Sequence, residues 1–269
     1  MPAELEPYQG IRVEPGGNQR KVNDLLVPEI RLVLKVNGEV FTATMCSPGH
    51  AEDLARGLLY SEDVYRRREP EPYIRIESED TSKGLTILDI QFPPSLAGKG
   101  YSTARNLLSV SSCGICGQKE LADPGSEPLL TDFTFDRAQI SALFERMREQ
   151  QVLFGQTGGS HAAAMFDAQG ALLVVREDIG RHNAVDKCTG ALLRSGNSGK
   201  ARFLSVSSRV SYEIVAKCFI AGIPVLAAVS APSSLAVDYC KEFGLTLLGF
   251  CREGRFTVYS HPERLRLDG

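Results

Sequence analysis

Between residues 30 and 92 the chain alternates apolar and polar side chains over four short runs. Alternation with a period of two is typical of half-buried β-strands. Asn37 and Gly38 lie between the first two runs and favour a type I′ hairpin turn, because both positions take positive φ. Ser47 and Pro48 indicate the start of a short helix. This part of the chain is predicted to form strands at residues 30–36, 40–45, 73–77 and 85–92.

The segments around these strands have a different composition. Residues 1–27 are rich in Pro, Gly and polar side chains, which predicts a loose N-terminal leader. Residues 93–105 are loop-like, and the Ser and Gly residues of segment 109–117 predict an exposed, adaptable loop. We therefore expect a smaller β-rich N-terminal part, residues 28–130, that ends in this loop.

A helical rhythm replaces the strand rhythm beyond residue 130. Residues 136–154 form one amphipathic pattern, and strand-like and helical runs then alternate to the C-terminus. Strand–helix–strand repetition implies right-handed crossovers and a mainly parallel sheet. The sequence thus predicts an α/β domain over residues 131–269. Its strands are expected at residues 162–166, 171–176, 202–207, 224–230 and 245–251, and its helices at residues 180–194, 211–221 and 233–243.

Polar residues follow three of these strands, at 176–178, 207–209 and 230–233. In an open parallel sheet such turns lie on one edge, where ligands bind and helix N-termini face anions. The alternative is that Ser207, Ser208 and Ser233 only cap helices. Convergence of all three turns favours a binding edge.

Composition narrows the classes of protein. The charged residues number 30 Lys+Arg and 33 Asp+Glu, a net charge of −3, which argues against broad nucleic-acid binding but allows a small anionic ligand. An odd count of 7 Cys and an N-terminus without a secretory signal indicate a reducing compartment. The longest apolar stretch, residues 218–229, is too short for a membrane span.

Cys113 and Cys116 form the sharpest motif. Their spacing leaves three readings open: half of a zinc site, a redox dithiol, or a thiol that carries a chemical group. His50 and Glu52 upstream match part of a zinc-deaminase pattern, but His50 follows a helix start and is expected to be solvated. The other cysteines are interpreted as buried small apolar residues. They are Cys46, Cys188, Cys218, Cys240 and Cys251.

Residues 176–187 are unusually polar for a strand-to-helix turn. In a helix that starts near residue 180, His182 and Asp186 are neighbours four residues apart on one face, and so are Asn183 and Lys187. A solvated, salt-bridged helix face would have the same pattern, but the buried strand before it favours a site.

The segment of residues 250–255 follows the strand predicted at 245–251. Arg252 and Arg255 offer forked donors suited to phosphate, Gly254 allows close approach, and Phe250 could stack on a base. An ordinary hairpin with exposed arginines is the alternative.

Together these motifs resemble the formate dehydrogenase accessory sulfurtransferase family, FdhD, over nearly everything after residue 27. Four blocks of sequence carry this resemblance, and the third of them, residues 177–187, is highly specific. The blocks are residues 112–117 (SCGICG), 157–162 (TGGSHA), 177–187 (EDIGRHNAVDK) and 230–237 (SAPSSLAV).

The resemblance implies a cytoplasmic, usually dimeric sulfur carrier. Such a protein takes persulfide sulfur from a cysteine desulfurase and passes it to the molybdenum bis(molybdopterin guanine dinucleotide) cofactor, as bound substrate, for formate dehydrogenase. The implied fold is a three-layer, deaminase-like α/β domain without zinc, beside a smaller domain. Cys113 would carry the persulfide, with Cys116 as its neighbour. The expected cofactor-binding residues are Asp178, His182, Asn183, Lys187, Phe250, Cys251, Arg252, Glu253, Gly254 and Arg255.

Two other functions remain open at this point. One is a guanine-nucleotide-binding redox protein with a Cys113–Cys116 disulfide switch, and the other is a zinc hydrolase of the deaminase type. Sulfane sulfur on Cys113 would distinguish the sulfur carrier from the disulfide switch. Zinc content would distinguish the hydrolase from both.

Overall fold

The computed structural model describes residue 5 and residues 7–104, 127–129 and 131–266. Within these ranges the chain forms a four-stranded sheet, a six-stranded sheet and two small two-stranded sheets. None of the helices in these ranges combines the length and the apolar character that a membrane-spanning helix needs. The predicted boundary near residue 130 stays a prediction.

The N-terminal segment is a hairpin. β1 (Pro7–Val13) and β2 (Gln19–Leu25) pair antiparallel over their whole length. The prediction of a loose leader is therefore wrong for these residues. Gly16 and Gly17 both take positive φ, so the segment read as irregular is the reversal between two strands.

A four-stranded sheet and one helix build the first core. Their elements are β3 (Ile30–Val36), β4 (Glu39–Cys46), α1 (Ala51–Ser61), β5 (Tyr73–Asp80) and β6 (Leu85–Gln91). The strand order is β4-β3-β6-β5, and the predicted turn is confirmed, with φ of 51° at Asn37 and 85° at Gly38. Leu32 and Leu88 of the sheet pack with Leu54 of α1 in one buried cluster.

Two details of this part differ from the sequence prediction. α1 begins at Ala51, three residues after Pro48, because His50 takes the left-handed conformation and is the N-cap. Ser47 is buried instead, and bonds to another part of the chain. The segment predicted as loop-like contains a short helix, α2 (Lys99–Ala104).

A six-stranded sheet organises the C-terminal part. The elements from residue 135 onward are β7 (Phe135–Asp136), α3 (Arg137–Glu149), α4 (Val152–Thr157), β8 (His161–Phe166), β9 (Leu172–Asp178), α5 (Arg181–Arg194), β10 (Phe203–Val206), α6 (Tyr212–Ile220), β11 (Val225–Ala228), α7 (Ser234–Glu242), β12 (Thr246–Arg252), β13 (Arg255–Ser260) and β14 (Leu265–Arg266). The order in the sheet is β13-β12-β11-β10-β8-β9, and β7 pairs with β14 outside it. The helix predicted over residues 136–154 divides into α3 and α4 at residues 150–151.

This sheet is mixed, which corrects the prediction of a mainly parallel one. Only β10–β11 and β11–β12 pair in parallel, whereas β8–β9, β8–β10 and β12–β13 are antiparallel. For β8–β9 and β12–β13 the antiparallel pairing follows from short connections, since a parallel pair would need a long crossover. Gly170, with φ of 75°, closes the tight turn between β8 and β9.

Helices cover both faces of the six-stranded sheet and make three layers. One face packs against α5, α6 and α7 through residues such as Val185, Ile214 and Cys240. The other packs against α3 through Ile140 and Leu143. Burial of both faces explains why the strands read as continuous apolar runs.

α1 and α5 join the two cores by unusually close packing. A Cβ atom added to Gly57 would lie 1.9 Å from the backbone oxygen of Asp186, and one added to Gly190 would lie 1.8 Å from that of Asp53. Only glycine allows two helix backbones to approach so closely.

Candidate functional site

Four strands of the large sheet end at one edge. β8 runs opposite to both β9 and β10, so β9, β10, β11 and β12 point the same way. His161 at the start of β8 pairs with Asp178 at the end of β9, and Val210 bridges to Pro232 beyond β10 and β11. The predicted convergence of the polar turns on one edge is confirmed.

The serines of these turns have different partners. Ser233 caps α7, because its Oγ accepts from the Ala236 N–H over 3.2 Å. Ser207 Oγ instead accepts from the Ala162 N–H, and Ser208 Oγ donates to the Arg209 carbonyl. Helix capping alone therefore explains only Ser233.

Asp178 is the centre of a buried polar cluster. Its Oδ2 lies 2.7 Å from the Lys187 ammonium and accepts from the Ser47 N–H over 3.0 Å. Its Oδ1 accepts from the Gly180 N–H and from the Asn183 amide. Asp178 is 0% and Lys187 1% exposed. A buried charge pair with this many hydrogen bonds has its charges compensated within the protein.

The same cluster fastens the site to the first sheet. Asn183 donates to the Met45 carbonyl over 2.9 Å, and Lys187 donates to the Ser47 carbonyl over 2.9 Å. Asp178, Asn183 and Lys187 thus hold the N-terminus of α5 against the end of β4. Cofactor binding by these three residues stays a prediction, and the geometry gives them a positioning role.

His182 faces the edge from the first turn of α5. Its Nε2 lies 2.6 Å from Glu213 Oε2. Burial, together with Lys217, Arg181 and His161, lowers the pKa of His182 to about 3, although the Glu213 carboxylate is so close. We assign a neutral imidazole whose Nε2–H donates to Glu213.

A second buried ion pair lies one helical turn below His182. Lys217 Nζ donates to both Asp186 carboxylate oxygens, over 2.9 and 2.8 Å, and Ser61 Oγ donates to Asp186 over 2.7 Å. Burial alone would lower the pKa of Lys217, but Asp186 and Glu62 outweigh it and raise that pKa. Lys217 is therefore fully charged and compensated.

Phe250 lies at the other end of the edge, on β12. It takes a φ of 55° in a bulge where the register shifts between Gly249 and Arg252, and the residue is 46% exposed. Its N–H donates to the Ser230 carbonyl at the end of β11. A bulge re-aims a side chain, and here it exposes an aromatic face beside the neighbouring strand end.

The rest of segment 250–255 forms the turn into β13. Arg252 Nε donates to the Val229 carbonyl over 3.0 Å, and Arg255 lies 2.9 Å from Glu253. Gly254, with φ of 72°, accepts from the Arg137 guanidinium. Cys251 is buried, and burial raises the pKa of its thiol to about 12. Both arginines of this segment thus have partners, although Arg255 is exposed.

Three residues that the sequence prediction did not single out share the edge. His161 begins β8, Arg181 begins α5, and Arg209 follows β10. Burial, Arg181 and Arg209 lower the pKa of His161. His161 and Arg181 belong to the motif blocks quoted above, and their position at strand and helix ends is the signal that could have marked them.

The cysteines divide into two groups. Cys113 and Cys116 lie outside the described residues. The other five are buried as predicted, and burial raises the pKa of Cys46 and Cys188 to about 12. A thiol that stays protonated is a poor nucleophile, so these buried cysteines are structural. His50 is solvated as predicted, with a side chain that is 55% exposed.

The three layers and the polar strand ends define an α/β protein with one edge built from four strands. A family model, the FdhD/NarQ family, matches residues 27–266. A relative from Mycolicibacterium paratuberculosis named sulfur carrier protein FdhD is 41% identical over 250 residues, which is 90% of this chain and 92% of the relative. A Streptomyces avermitilis relative of the same name is 40% identical, over 96% of this chain and 94% of its own. The chain therefore belongs to the FdhD/NarQ family.

A solved structure supports the fold. A Desulfotalea psychrophila protein assigned as a formate dehydrogenase accessory protein superposes with a TM-score of 0.77, covering 98% of this chain and 100% of its own. Its sequence identity is 23%, so the similarity extends to the architecture alone.

Proposed function

We propose that this protein is a cytoplasmic sulfurtransferase that carries sulfur as a persulfide on Cys113 for the maturation of formate dehydrogenase. The observation that carries the proposal is the 40–41% identity, over at least 90% of the chain, to relatives named sulfur carrier protein. The sulfur donor would be a cysteine desulfurase. The acceptor would be the bis-guanine-dinucleotide molybdenum cofactor, bound as a substrate, and the working form would be a homodimer.

The loading step is a thiol–persulfide exchange. The Cys113 thiolate attacks the outer sulfur of the donor persulfide, a new sulfur–sulfur bond forms on Cys113, and the donor cysteine leaves as its thiolate. The rate of such an exchange depends on the thiolate fraction of the attacking cysteine and on its accessibility. The five buried cysteines meet neither condition, which leaves Cys113 and Cys116 for the reaction.

The sheet edge is the proposed place for the cofactor. Phe250 offers an exposed ring for a guanine base, and the arginines of the edge offer donors for phosphate. Asp178, Asn183 and Lys187 would act on the cofactor indirectly, because they fix the N-terminus of α5 beside it. His182 would line the site as a neutral imidazole, without adding a positive charge.

Intact mass measurement after incubation with a cysteine desulfurase and cysteine tests the carrier role. We expect a gain of one sulfur atom that dithiothreitol removes and that Cys113→Ala abolishes. Cys240→Ala, at a buried position, is the matched control and should load normally. A gain that survives Cys113→Ala would move the role to another residue, such as Cys116.

The same sample distinguishes the other two functions. A Cys113–Cys116 disulfide in place of sulfane sulfur would identify a redox switch. One zinc ion per chain would identify a metal site of the deaminase type and overturn the carrier proposal.

A further inference from the structure

Arg181 and Arg209 differ from the other charged residues of the edge. Within the described ranges neither has an ion-pair partner, whereas Arg255 pairs with Glu253 and Arg252 donates to a carbonyl. The Nε atom of Arg181 is buried and has no hydrogen-bond partner among the described residues. A buried donor without a partner costs free energy, so a ligand that accepts from it would recover that cost.

The strand order places the segments that carry these arginines on either side of His161. β8 lies between β9 and β10, so His161 at its start is flanked by the segment that leads to Arg181 and by the segment that holds Arg209. Both guanidiniums lie close enough to lower the pKa of His161. Because Arg181 is the first residue of α5, a helix of 14 residues, the helix dipole also favours an anion here.

We propose that Arg181, Arg209 and His161 form the subsite for the diphosphate group of a nucleotide whose base stacks on Phe250. This inference rests on the proposed function, since it concerns the cofactor site of the same edge. It assigns the phosphates to residues that the sequence prediction did not select.

The spacing of the strands gives the orientation of the nucleotide. Phe250 is on β12 and Arg209 follows β10, so the two strands that carry these residues lie two strand spacings, roughly 10 Å, apart. The nucleotide would lie across the ends of β12, β11 and β10, with its diphosphate reaching β8 and α5. Arg252 and Arg255 are poorer candidates for the diphosphate, because Arg252 already donates to the Val229 carbonyl and an anion at Arg255 would have to compete with Glu253.

Calorimetric titration with guanosine diphosphate, inorganic pyrophosphate and guanosine tests the subsite. We expect Arg181→Gln and Arg209→Gln each to weaken guanosine diphosphate and pyrophosphate binding by about ten- to hundredfold, because each removes charged hydrogen bonds. Guanosine, which has no phosphate, should bind the variants as it binds the parent protein. Arg181→Lys should restore part of the loss, since it keeps the charge but not the fork.

Arg202→Gln is the matched control. Arg202 precedes β10 at the opposite edge of the sheet and donates to the carbonyls of Gly199 and Ala201, so its loss should leave all three affinities unchanged. Arg209 is exposed, so its replacement does not disturb packing and a thermal melt should match that of the parent.

A second readout follows the imidazole directly. The chain has 4 His, so their NMR resonances can be assigned by single substitution, and pyrophosphate should shift that of His161 and leave that of His261 unchanged.

Three results would overturn the subsite: parent-like affinities in both arginine variants, equal loss of guanosine binding, or no binding of either phosphate compound to the parent protein. We expect sulfur loading on Cys113 to be the same in the arginine variants as in the parent protein. The subsite and the carrier function can therefore fail separately.

Discussion

At the scale of single residues, Phe250 has a conformation that its side chain does not favour. A non-glycine residue in the left-handed region costs about 1 kcal/mol or more, and this large aromatic residue is also 46% exposed. The bulge in β12 imposes both features and is fixed by the bond from the Phe250 N–H to Ser230. Such strain at a strand end motivates the base-stacking role.

We predict that Phe250→Ala weakens guanosine binding by about five- to 150-fold, since stacking of a base on an aromatic ring contributes roughly 1–3 kcal/mol. Phe250→Tyr should bind like the parent protein, because it keeps the ring. Equilibrium binding of guanosine measures the effect. Equal affinity for guanosine in the alanine and parent proteins would remove the stacking role.

The buried histidine gives the protein a pH-dependent stability. His182 has a pKa of about 3 when folded, against an ordinary value of about 6.5, so the unfolded chain binds the proton first as the pH falls. The contribution of the neutral His182 to the free energy of unfolding is complete above pH 6.5, and it declines as the pH falls from there towards 3. The slope is at most about 1.4 kcal/mol per pH unit.

We predict that the free energy of unfolding of the parent protein falls, between pH 6.5 and 5, by up to about 2 kcal/mol more than that of His182→Gln. Glutamine can still donate to Glu213 but does not titrate. His261→Gln, at a histidine whose side chain is 27% exposed, is the control and should keep the parental pH dependence. Denaturant unfolding at several pH values measures the difference, and identical slopes for parent and His182→Gln would contradict the assigned neutral state.

At the scale of elements, the crossing of α1 and α5 depends on two glycines. At Gly190 an added Cβ atom would meet backbone atoms of Asp53, which cannot move aside as a flexible side chain could. In α4, by contrast, a Cβ atom at Gly155 meets nothing within 4 Å. Replacing glycine by alanine at Gly190 and at Gly155 therefore compares a crowded helix position with an open one.

We predict that Gly190→Ala destabilises the protein by about 3 kcal/mol or more, at the upper end of overpacking costs, because two helices must separate. Gly155→Ala should be neutral or stabilising by up to about 1 kcal/mol, since alanine favours the helix. Chemical denaturation of both variants measures these effects. A stable Gly190→Ala protein would mean that the two helices can separate at little cost.

Elements with strong local signals could be predicted from the sequence, and those set by distant contacts could not. The β3–β4 hairpin follows from Asn37-Gly38, and the central strands follow from their apolar runs. The late start of α1 does not, because Ser47 bonds to the Ile179 N–H, 132 residues away. The antiparallel strands were missed because the period of an apolar run does not specify the direction of its neighbour.

The candidate site was predicted in outline for a similar reason. Position at the ends of strands correctly placed the polar turns on one edge of the sheet. It did not distinguish Lys187, whose charge is paired with the buried Asp178, from Arg181, which has no ion-pair partner among the described residues. That distinction depends on which side chain meets a distant carboxylate.

At the scale of the whole molecule, charges and helices couple the two cores. Arg176 and Arg194, from the large-sheet side, both bind the Asp53 carboxylate of α1, over 2.8 and 2.6 Å. Burial would raise the pKa of Asp53, but hydrogen bonds from His50, Arg194 and Arg176 outweigh it and hold that pKa well below its usual range. Together with the bonds from Lys187 to Asp178 and Ser47, these contacts fasten α1 and the four-stranded sheet to the six-stranded sheet and α5.

This coupling predicts that the two cores unfold as one cooperative unit. The slowest-exchanging amides of β3 and β6 should report the same opening free energy as those of β10, β11 and β12, because neither core keeps its buried charges paired alone. Lys187→Met should lower both values together by about 3–5 kcal/mol, since it leaves Asp178 charged and buried. Lys241→Met, on the exposed side of α7, should change neither value.

Hydrogen exchange followed by mass spectrometry measures both cores in one sample. If Lys187→Met lowers protection only in β3 and β6, the small sheet opens on its own, and the cluster at Asp178 fastens it to the large sheet without making the two interdependent.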